Sequence, residues 1–352
     1  MKLSTLQAAG PFALLGPGFG NGRLRLLGDL EETALPTGPE TGATRPRLVF
    51  APFETAGSAP RSFAARACRT IDLELDGPAR PLVVTLDVEG YDRTVARIRD
   101  AIAAGDVYQV CYTVKGRLAP AGPAGSAPLS GAELMRLLCA GGVPRFAAWV
   151  RLPGGDEFVS ASPELFFAIE GRQIRAEPMK GTALAGAHGA LEASDKDRAE
   201  LAMITDLLRN DLARVCRPGT VRVACPRRRI ALPYAVQTVS DVIGELPADA
   251  SALDALAALH PGGSVTGAPK QAALSLIRDL EKGPRGAYCG ALGLLEGERA
   301  TFSLLIRTAA KEEAGWVFGV GGGIVWDSDA ATELAELHVK LGALRCDTRC
   351  YD

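Results

Sequence analysis

The stretch SASPELFFAIEGRQIRAEPMKGT, residues 160–182, determines how the rest of the chain is interpreted. Its apolar run at 165–169 is typical of a strand, a Glu-Gly turn follows, and a second strand-like run covers 172–176. A hairpin of this kind would bring Glu164 and Lys180 to the same end of a sheet. An acid and an amine held together and shielded from water can serve as a general acid beside a nucleophile or base. The simpler alternative is a surface salt bridge, which stabilises little.

The composition is that of an ordinary soluble globular protein. The chain has 352 residues, of which 47% are hydrophobic and 23% charged, so it could form two domains or one large one. A net charge of −2 gives no reason to expect nucleic acid or an acidic membrane surface as a partner. Every apolar run is interrupted well before the ~18 residues of a membrane-spanning helix, and the N-terminal stretch is a poor signal peptide.

Cysteine and histidine usage gives little support to a zinc site. The eight cysteines form no CxxC pair, and the chain has only three histidines. A reduced, cytoplasmic protein is the simplest account of this pattern.

Two predicted helices carry carboxylates on one face. Asp197 and Glu200 stand at i and i+3 near the start of a long helix, where the helix dipole alone would also explain them. In the final helix, Glu333, Glu336 and Lys340 share one face. Carboxylates from two helices, without His or Cys ligands, point to a hard cation such as Mg²⁺.

Other residues suit an anionic ligand. The Gly-rich turn at 260–270 opens a helix and presents backbone N–H groups, and the glycines at 321–323 allow another close backbone approach. Arg307 could meet a ligand carboxylate. Gln109 lies in an apolar strand, as either a satisfied buried amide or a site residue. Together these patterns predict a small anionic substrate, Mg²⁺ and chemistry by an acid and an amine.

Eight motifs resemble, in their order, those of the chorismate-utilising enzymes, and the likeness covers roughly residues 88–345. The motifs are SPELFF, PMKGT, DRAELAMITDLLRND, PGGSVTGAPK, RGAYCGALG, IRT, GGGIVWDS and ELAELHVK. The resemblance implies an α+β fold of large antiparallel sheets flanked by helices, a two-layered sandwich around a central cleft. It also implies a shortened N-terminal α/β segment, residues 1–87, packing on a catalytic domain at 88–352.

The resemblance implies a role for each matching position. Glu200 and Glu336 match the glutamates that bind Mg²⁺, Asp197 and Glu333 match carboxylates that hold the waters of the metal, and Lys340 matches a lysine beside it. Glu164 matches the acid that protonates the departing C4 hydroxyl of chorismate. Tyr288 and Arg307 match groups that hold the pyruvyl carboxylate, and Gly321 and Gly323 match backbone donors nearby. The further substrate-binding positions are Gln109, Thr182, Thr266 and Gly267.

Two positions indicate the subfamily. Gln109 stands where isochorismate and salicylate synthases carry a water-activating lysine, which argues against water as the nucleophile. The motif at 178–182 resembles the Pro-Ile-Lys-Gly-Thr of aminodeoxychorismate synthases more than the Pro-Ile-Ala-Gly-Thr of anthranilate synthases. Lys180 is therefore expected to attack C2, with ammonia then adding at C4 to give 4-amino-4-deoxychorismate for 4-aminobenzoate and folate synthesis. This role needs a neutral amine, so we expect a depressed pKa for Lys180.

Several features leave alternatives open. Gln237, Ala183 and Cys111 depart from residues frequent in the family, and the short N-terminal part makes a tryptophan pocket doubtful. The chain has no Gly-x-Cys-x-Gly glutaminase motif, so ammonia is expected from a separate glutamine amidotransferase subunit, or else from solution. The rival functions are amination of chorismate at C2 and a non-catalytic chorismate-binding module.

Overall fold

The computed structural model describes residues 1–20, 22–38, 45–54, 59–76, 80–121, 127–184, 195–231, 235–342 and 347–351. The α-helices in this part of the chain are α1 (Tyr91–Ala103), α2 (Gly131–Leu138), α3 (Asp195–Ala213), α4 (Ala252–Leu259), α5 (Lys270–Leu280) and α6 (Ala330–Gly342). Short 3₁₀ helices cover Leu3–Ala8, Pro17–Phe19 and Gly263–Val265. The strands are β1 (Phe12–Leu15), β2 (Leu24–Thr33), β3 (Arg47–Ala51), β4 (Arg61–Ile71), β5 (Leu82–Asp87), β6 (Gln109–Pro120), β7 (Phe146–Arg151), β8 (Glu157–Ser162), β9 (Leu165–Glu170), β10 (Gln173–Ala176), β11 (Met179–Leu184), β12 (Arg222–Ala231), β13 (Ala235–Glu245), β14 (Gly267–Ala268), β15 (Ala291–Glu296), β16 (Arg299–Leu304), β17 (Thr308–Glu312), β18 (Gly315–Ile324) and β19 (Asp347–Tyr351).

These strands join into one extensive sheet with helices packed around it. Their pairings are antiparallel, as in β7 with β8 and β12 with β13, apart from the parallel pair β5 and β19. Antiparallel neighbours can be joined by tight turns, and the link between β9 and β10 is the predicted Glu-Gly turn. The predicted α+β fold of large antiparallel sheets flanked by helices is confirmed. The boundary at residue 87 stays a prediction.

Strand β6 brings distant parts of the chain together. It pairs with β18 along most of its length, while β14 pairs with its first residues and β5 with its last ones. Because side chains alternate along a strand, Gln109, Cys111 and Thr113 share one face. The register sets Gly323 opposite Cys111, and Gly267 opposite Val110. Predicted site residues far apart in sequence thus meet at one end of β6.

The sheet is buried on both faces. Successive residues of β7 enter different parts of the core, with Trp149 packing edge-on against Phe12 at 4.9 Å between ring centroids while Val150 belongs to the opposite cluster. Phe167 of β9 and Phe302 of β16 stack at 4.6 Å, which contributes to the packing beneath the candidate hairpin. The hairpin therefore lies on a rigid support.

Three segments show how local patterns compare with the structure. The Gly- and Pro-rich N-terminal part is typical of short strands and loops, but it contains the long paired strands β2 and β4. The basic run 226–230 is typical of a solvated edge, and it belongs to β12, which pairs with β13 and has no buried residue among those described. The run TFSLLIRT, residues 301–308, is typical of a single strand, but Arg307 adopts a positive φ of 52° between β16 and β17 and interrupts it.

Helices α3, α4 and α5 are joined by a buried ion pair. Lys270, the first residue of α5, donates to Asp211 of α3 at 2.5 Å and to the carbonyl of Leu259 at 2.9 Å. The Lys270 and Asp211 side chains are 9% and 7% exposed, so neither charge could be satisfied by bulk water.

We expect Lys270→Met to lower the free energy of unfolding by about 3 kcal/mol, because it leaves the Asp211 carboxylate buried without its main partner. Urea-induced unfolding measures this change. The double variant Lys270→Met/Asp211→Leu is the control and should regain most of the loss. Equal stability of the single and double variants would contradict the assignment.

Candidate active site

Glu164 lies in the short link between β8 and β9. Its side chain is buried, and its Oε1 accepts a hydrogen bond from the Ser264 hydroxyl at 3.0 Å. Its backbone N–H donates to the Ser162 hydroxyl at 3.2 Å, which fixes the link. Burial raises the pKa of Glu164 to about 7, while the Ser264 hydrogen bond and the charge of Lys180 oppose a further rise. The group can therefore carry a proton at neutral pH, as a general acid must.

Lys180 lies at the start of β11, beside an irregularity in the pairing with β13. Its Nζ is 3.2 Å from Glu200 Oε2, and these two side chains are 19% and 18% exposed. Burial lowers the pKa of Lys180, but the charges of Glu200 and other neighbouring groups outweigh it, and the net shift is upward. The predicted depression of this pKa is therefore wrong for the protein alone, because a carboxylate and not a cation is the nearest charge.

The two carboxylates predicted on α6 have different surroundings. Glu333 is buried and accepts a hydrogen bond from the Ser328 hydroxyl at 2.6 Å. Glu336 is half-exposed and pairs with Lys340 at 2.8 Å. Lys340 also donates to the carbonyl of Gly321 at 2.8 Å, which ties α6 to β18. The predicted helix face is thus turned towards the glycine-rich strand.

Glu200 and Glu336 are suitable donors for a hard cation. Each is a partly exposed carboxylate whose charge is now balanced by a lysine, Lys180 or Lys340. Among the residues that the structure describes, no three His, Cys, Asp or Glu groups form a ready ligand cluster. The side chain of Asp197 lies outside the described residues. Mg²⁺ binding thus stays a prediction, supported by the chemistry of its donors.

Gln109 is buried between two glycines. A Cβ atom at Gly267 would lie 2.1 Å from the Gln109 carbonyl oxygen, so that position needs glycine, and one at Gly323 would lie 2.1 Å from Gln109 Nε2 and would displace this side chain. The side-chain oxygen of Gln109 accepts no hydrogen bond from the described residues. A buried acceptor in this state needs a donor from a ligand or water, which supports the predicted substrate contact.

The other predicted substrate contacts are less uniform. Thr266 is fully buried, and its hydroxyl donates to the carbonyl of Gly262 at 2.9 Å, so it holds the loop before β14. The carbonyl of Arg307 accepts from Ala161 at 3.0 Å, near Glu164 in the chain. The side chain of Thr182 lies outside the described residues.

Tyr288 lines a cavity that the other predicted side chains do not line, in the described part of the chain. Its ring packs against Gly319, where a Cβ atom would come within 2.1 Å. It lines a cavity of about 390 Å³ together with residues of β5, β6, β17 and β18. None of the other predicted site residues lines this cavity in the described part of the chain. The predicted contact of Tyr288 with a substrate carboxylate stays a prediction.

A family model described as chorismate binding enzyme matches residues 64–345. The chain belongs to this family. The match begins before residue 88, where the motif resemblance starts, so it includes β4 and β5 as well.

Two curated relatives of the chain have names that state different activities. The chain is 40% identical over 272 residues to an aminodeoxychorismate synthase from Streptomyces pristinaespiralis, covering 72% of this chain and 36% of that protein. It is 38% identical over 257 residues to an anthranilate synthase component 1 from Streptomyces coelicolor, covering 70% of this chain and 48% of that protein. The chain thus spans about half or less of the length of the curated relatives it matches.

Solved structures of chorismate-binding enzymes share the fold. The menaquinone-specific isochorismate synthase from Escherichia coli superposes with a TM-score of 0.77 at 18% identity, covering 97% of this chain and 90% of that one. Anthranilate synthase component I from Streptococcus pneumoniae superposes with a TM-score of 0.73 at 22% identity, covering 96% of this chain and 91% of that one.

In the described part of the chain, no helix combines the length and the apolar character that a membrane span requires.

Sequence reasoning missed two supports of the site. Ser264, in the motif PGGSVTGAPK, is not among the predicted site residues, although its hydroxyl donates to Glu164. Arg285 opens the motif RGAYCGALG, in which only Tyr288 is a predicted site residue. The buried Arg285 guanidinium donates to the carbonyls of Val265 and Cys111 at 2.6 and 2.7 Å, and so locks the loop before β14 onto β6. The sequence signal that could have identified Arg285 is its position in one of the eight family motifs.

Proposed function

We propose that this chorismate-binding enzyme aminates chorismate at C4, as an aminodeoxychorismate synthase component I does, for 4-aminobenzoate and folate synthesis. The observation that carries the proposal is the amine of Lys180, in the motif PMKGT, at the same end of the β9–β10 hairpin as Glu164, a carboxyl that is half-protonated near neutral pH. Each of these charges also shifts the pKa of the other.

In the proposed reaction, the neutral Lys180 amine attacks C2 of chorismate, both conjugated ring double bonds shift, and the bond from C4 to its hydroxyl breaks. Glu164 gives its proton to the departing hydroxyl, which leaves as water. Ammonia then forms a bond to C4, both double bonds shift back, and the bond between C2 and Lys180 breaks. The amine and Glu164 are returned to their starting states after proton transfer, and the product is 4-amino-4-deoxychorismate.

Lys180 must lose a proton for this attack, and Glu200 opposes that loss in the protein alone. Glu200 and Glu336 are the residues that would hold Mg²⁺, with Glu333 and Asp197 behind them. Bound Mg²⁺ would supply positive charge that binds the substrate carboxylate and offsets the charge of Glu200, which would lower the pKa of Lys180. Removal of the metal with a chelator is accordingly expected to suppress turnover.

Amination at C2 is the second candidate, because the anthranilate synthase relative is nearly as similar as the aminodeoxychorismate synthase. Lys180 favours amination at C4, since the corresponding motif of anthranilate synthases has alanine at this position. The anthranilate synthase relative is named component 1, which supports a separate partner subunit for this chain as well. We propose that this partner is a glutamine amidotransferase that supplies ammonia.

Product analysis by mass spectrometry tests the proposal. The purified chain is incubated with chorismate, Mg²⁺ and a high concentration of ammonium, with and without an added aminodeoxychorismate lyase. Formation of 4-aminobenzoate only with the lyase supports C4 amination. Anthranilate would show amination at C2 instead, and binding of chorismate without any product would favour a non-catalytic module.

A further inference from the structure

Residues 52–54 follow β3 and lie outside the part of the chain that the family model matches, residues 64–345. Strand β3 pairs with β15, and its last residue, Ala51, lies opposite Ala291, the first residue of β15. This register brings segment 52–54 beside the motif RGAYCGALG, which leads into β15. A short piece of the N-terminal part therefore contacts a motif of the candidate active site.

Glu54 and Phe53 hold Arg285 in place. The two carboxylate oxygens of Glu54 accept from the backbone N–H groups of Arg285 and Gly286 at 2.6 and 3.0 Å. The Phe53 N–H donates to the Gly286 carbonyl at 2.9 Å, and the Arg285 guanidinium lies 4.2 Å from the centre of the Phe53 ring. Charge-assisted hydrogen bonds and cation–π contacts are both favourable where water is excluded. Segment 52–54 therefore fixes the backbone of Arg285 and packs on its side chain.

The Arg285 guanidinium passes this constraint on towards Glu164. It is 2% exposed, pairs with Glu281 at 2.6 Å and donates to the carbonyl of Val265 at 2.6 Å. Because a buried charge is costly without its partners, the guanidinium has little freedom to move. Val265 directly follows Ser264, whose hydroxyl donates to Glu164. Arg285 thus fixes the chain one residue away from the contact with the general acid.

The same segment also holds the start of the loop 260–267. His260 Nε2 is 2.8 Å from the carbonyl oxygen of Pro52, and because a carbonyl can only accept, Nε2 is the donor. Burial lowers the pKa of His260 to about 4, so the ring stays neutral and this contact does not change near neutral pH. The loop is therefore held at His260 and at Val265, on both sides of Ser264.

We propose that segment 52–54 positions the general acid Glu164, with Glu54 as its main positioning residue. By holding the loop on both sides of Ser264, the segment keeps the Ser264 hydroxyl at 3.0 Å from Glu164 Oε1. Small displacements of such a group are expected to slow the reaction, because a proton donor acts only from the correct position. The inference rests on the proposed role of Glu164 as the acid, and it holds for amination at C4 or at C2.

Hydrogen–deuterium exchange of the full chain tests the support of the loop without turnover. Glu54→Ala removes the acceptor for two backbone N–H groups, so the amides of residues 260–267 should exchange at least about 5-fold faster, as expected when about one hydrogen bond is lost. Glu54→Gln keeps one acceptor oxygen and should give a smaller increase. Glu74→Ala is the control, because Glu74 is an exposed glutamate of the same N-terminal part. Unchanged exchange of residues 260–267 in Glu54→Ala would overturn the proposal.

Chorismate consumption at saturating ammonium and Mg²⁺ shows whether the segment acts on the acid. Glu54→Ala should lower kcat about 10-fold, whereas Glu74→Ala should not. The loss of activity at alkaline pH, which follows the pKa of Glu164, should move up by about 0.5 pH units in Glu54→Ala, because the hydrogen bond from Ser264 lowers that pKa and is weakened. Ser264→Ala removes the same hydrogen bond, so the double variant Glu54→Ala/Ser264→Ala should lose activity at the same pH as Ser264→Ala.

Two results of this comparison would refute the positioning role. One is an alkaline loss of activity that stays at the wild-type pH in Glu54→Ala, and the other is a pair of shifts that add in the double variant. A different amination product would refute only the proposed function, because the consumption of chorismate by the variants can still be compared.

Discussion

Lys180→Ala is expected to reduce the formation of 4-amino-4-deoxychorismate by at least about 10³-fold. A nucleophile held against its target acts at an effective concentration that ammonia in solution does not reach, and this advantage disappears with the amine. The measurement is the rate of chorismate conversion with saturating ammonium and Mg²⁺, coupled to the lyase. Thermal unfolding should change little, because the partner Glu200 is partly exposed and keeps contact with water.

Lys180→Arg separates a nucleophile from a simple counter-charge. Arginine keeps the positive charge that faces Glu200 at 3.2 Å, but its guanidinium cannot be deprotonated in a protein and cannot attack carbon. We expect the arginine variant to be as inactive as the alanine variant. Substantial activity in Lys180→Arg would mean that Lys180 only balances Glu200, and the covalent step would be abandoned.

The local geometry of the site could be predicted from the sequence where it depends on short-range periodicity. The turn after β9 returns the chain so that Glu164 and Lys180 reach the same end of the sheet, as the two strand-like runs predict. On α6, the helical spacing correctly places Glu336 and Lys340 on one face, where they form an ion pair. Both relations follow from the residue spacing within a single hairpin or a single helix, without any contact between distant segments.

Contacts between distant segments could not be predicted in this way. Ser264 is far from Glu164 in the chain, and only the pairing of β14 with β6 and the preceding loop bring its hydroxyl to the carboxyl. The pKa of Lys180 is a second case, because its direction depends on whether the nearest charge is a carboxylate or a cation. Strand β1 is a further case, because its four residues are held by pairing with β2 and with the distant strand β7.

Glu164→Gln is expected to lower kcat by about 10²- to 10⁴-fold, the usual contribution of a positioned general acid. The amide has the shape of the carboxyl but no proton to give to the departing hydroxyl. Because the pKa of Glu164 is raised to about 7, the wild type should lose activity as the pH rises through that value. The residual activity of the glutamine variant should lack this alkaline limb. Ser264→Ala removes a hydrogen bond that lowers the pKa of Glu164, so the alkaline limb of the activity profile of this variant should move to higher pH.

The same proton gives a stability signal that does not depend on turnover. An unfolded glutamate titrates near pH 4.3, whereas folded Glu164 titrates at about 7. The stability contributed by the neutral carboxyl is therefore fully present below the unfolded pKa and is lost as the pH rises through the folded one. Glutamine stays neutral, so between about pH 4 and pH 8 the free energy of unfolding of Glu164→Gln should gain on the order of 2–3 kcal/mol relative to the wild type. Parallel pH dependence of the two proteins would show that Glu164 is already ionised in the fold, and it could not then be the acid.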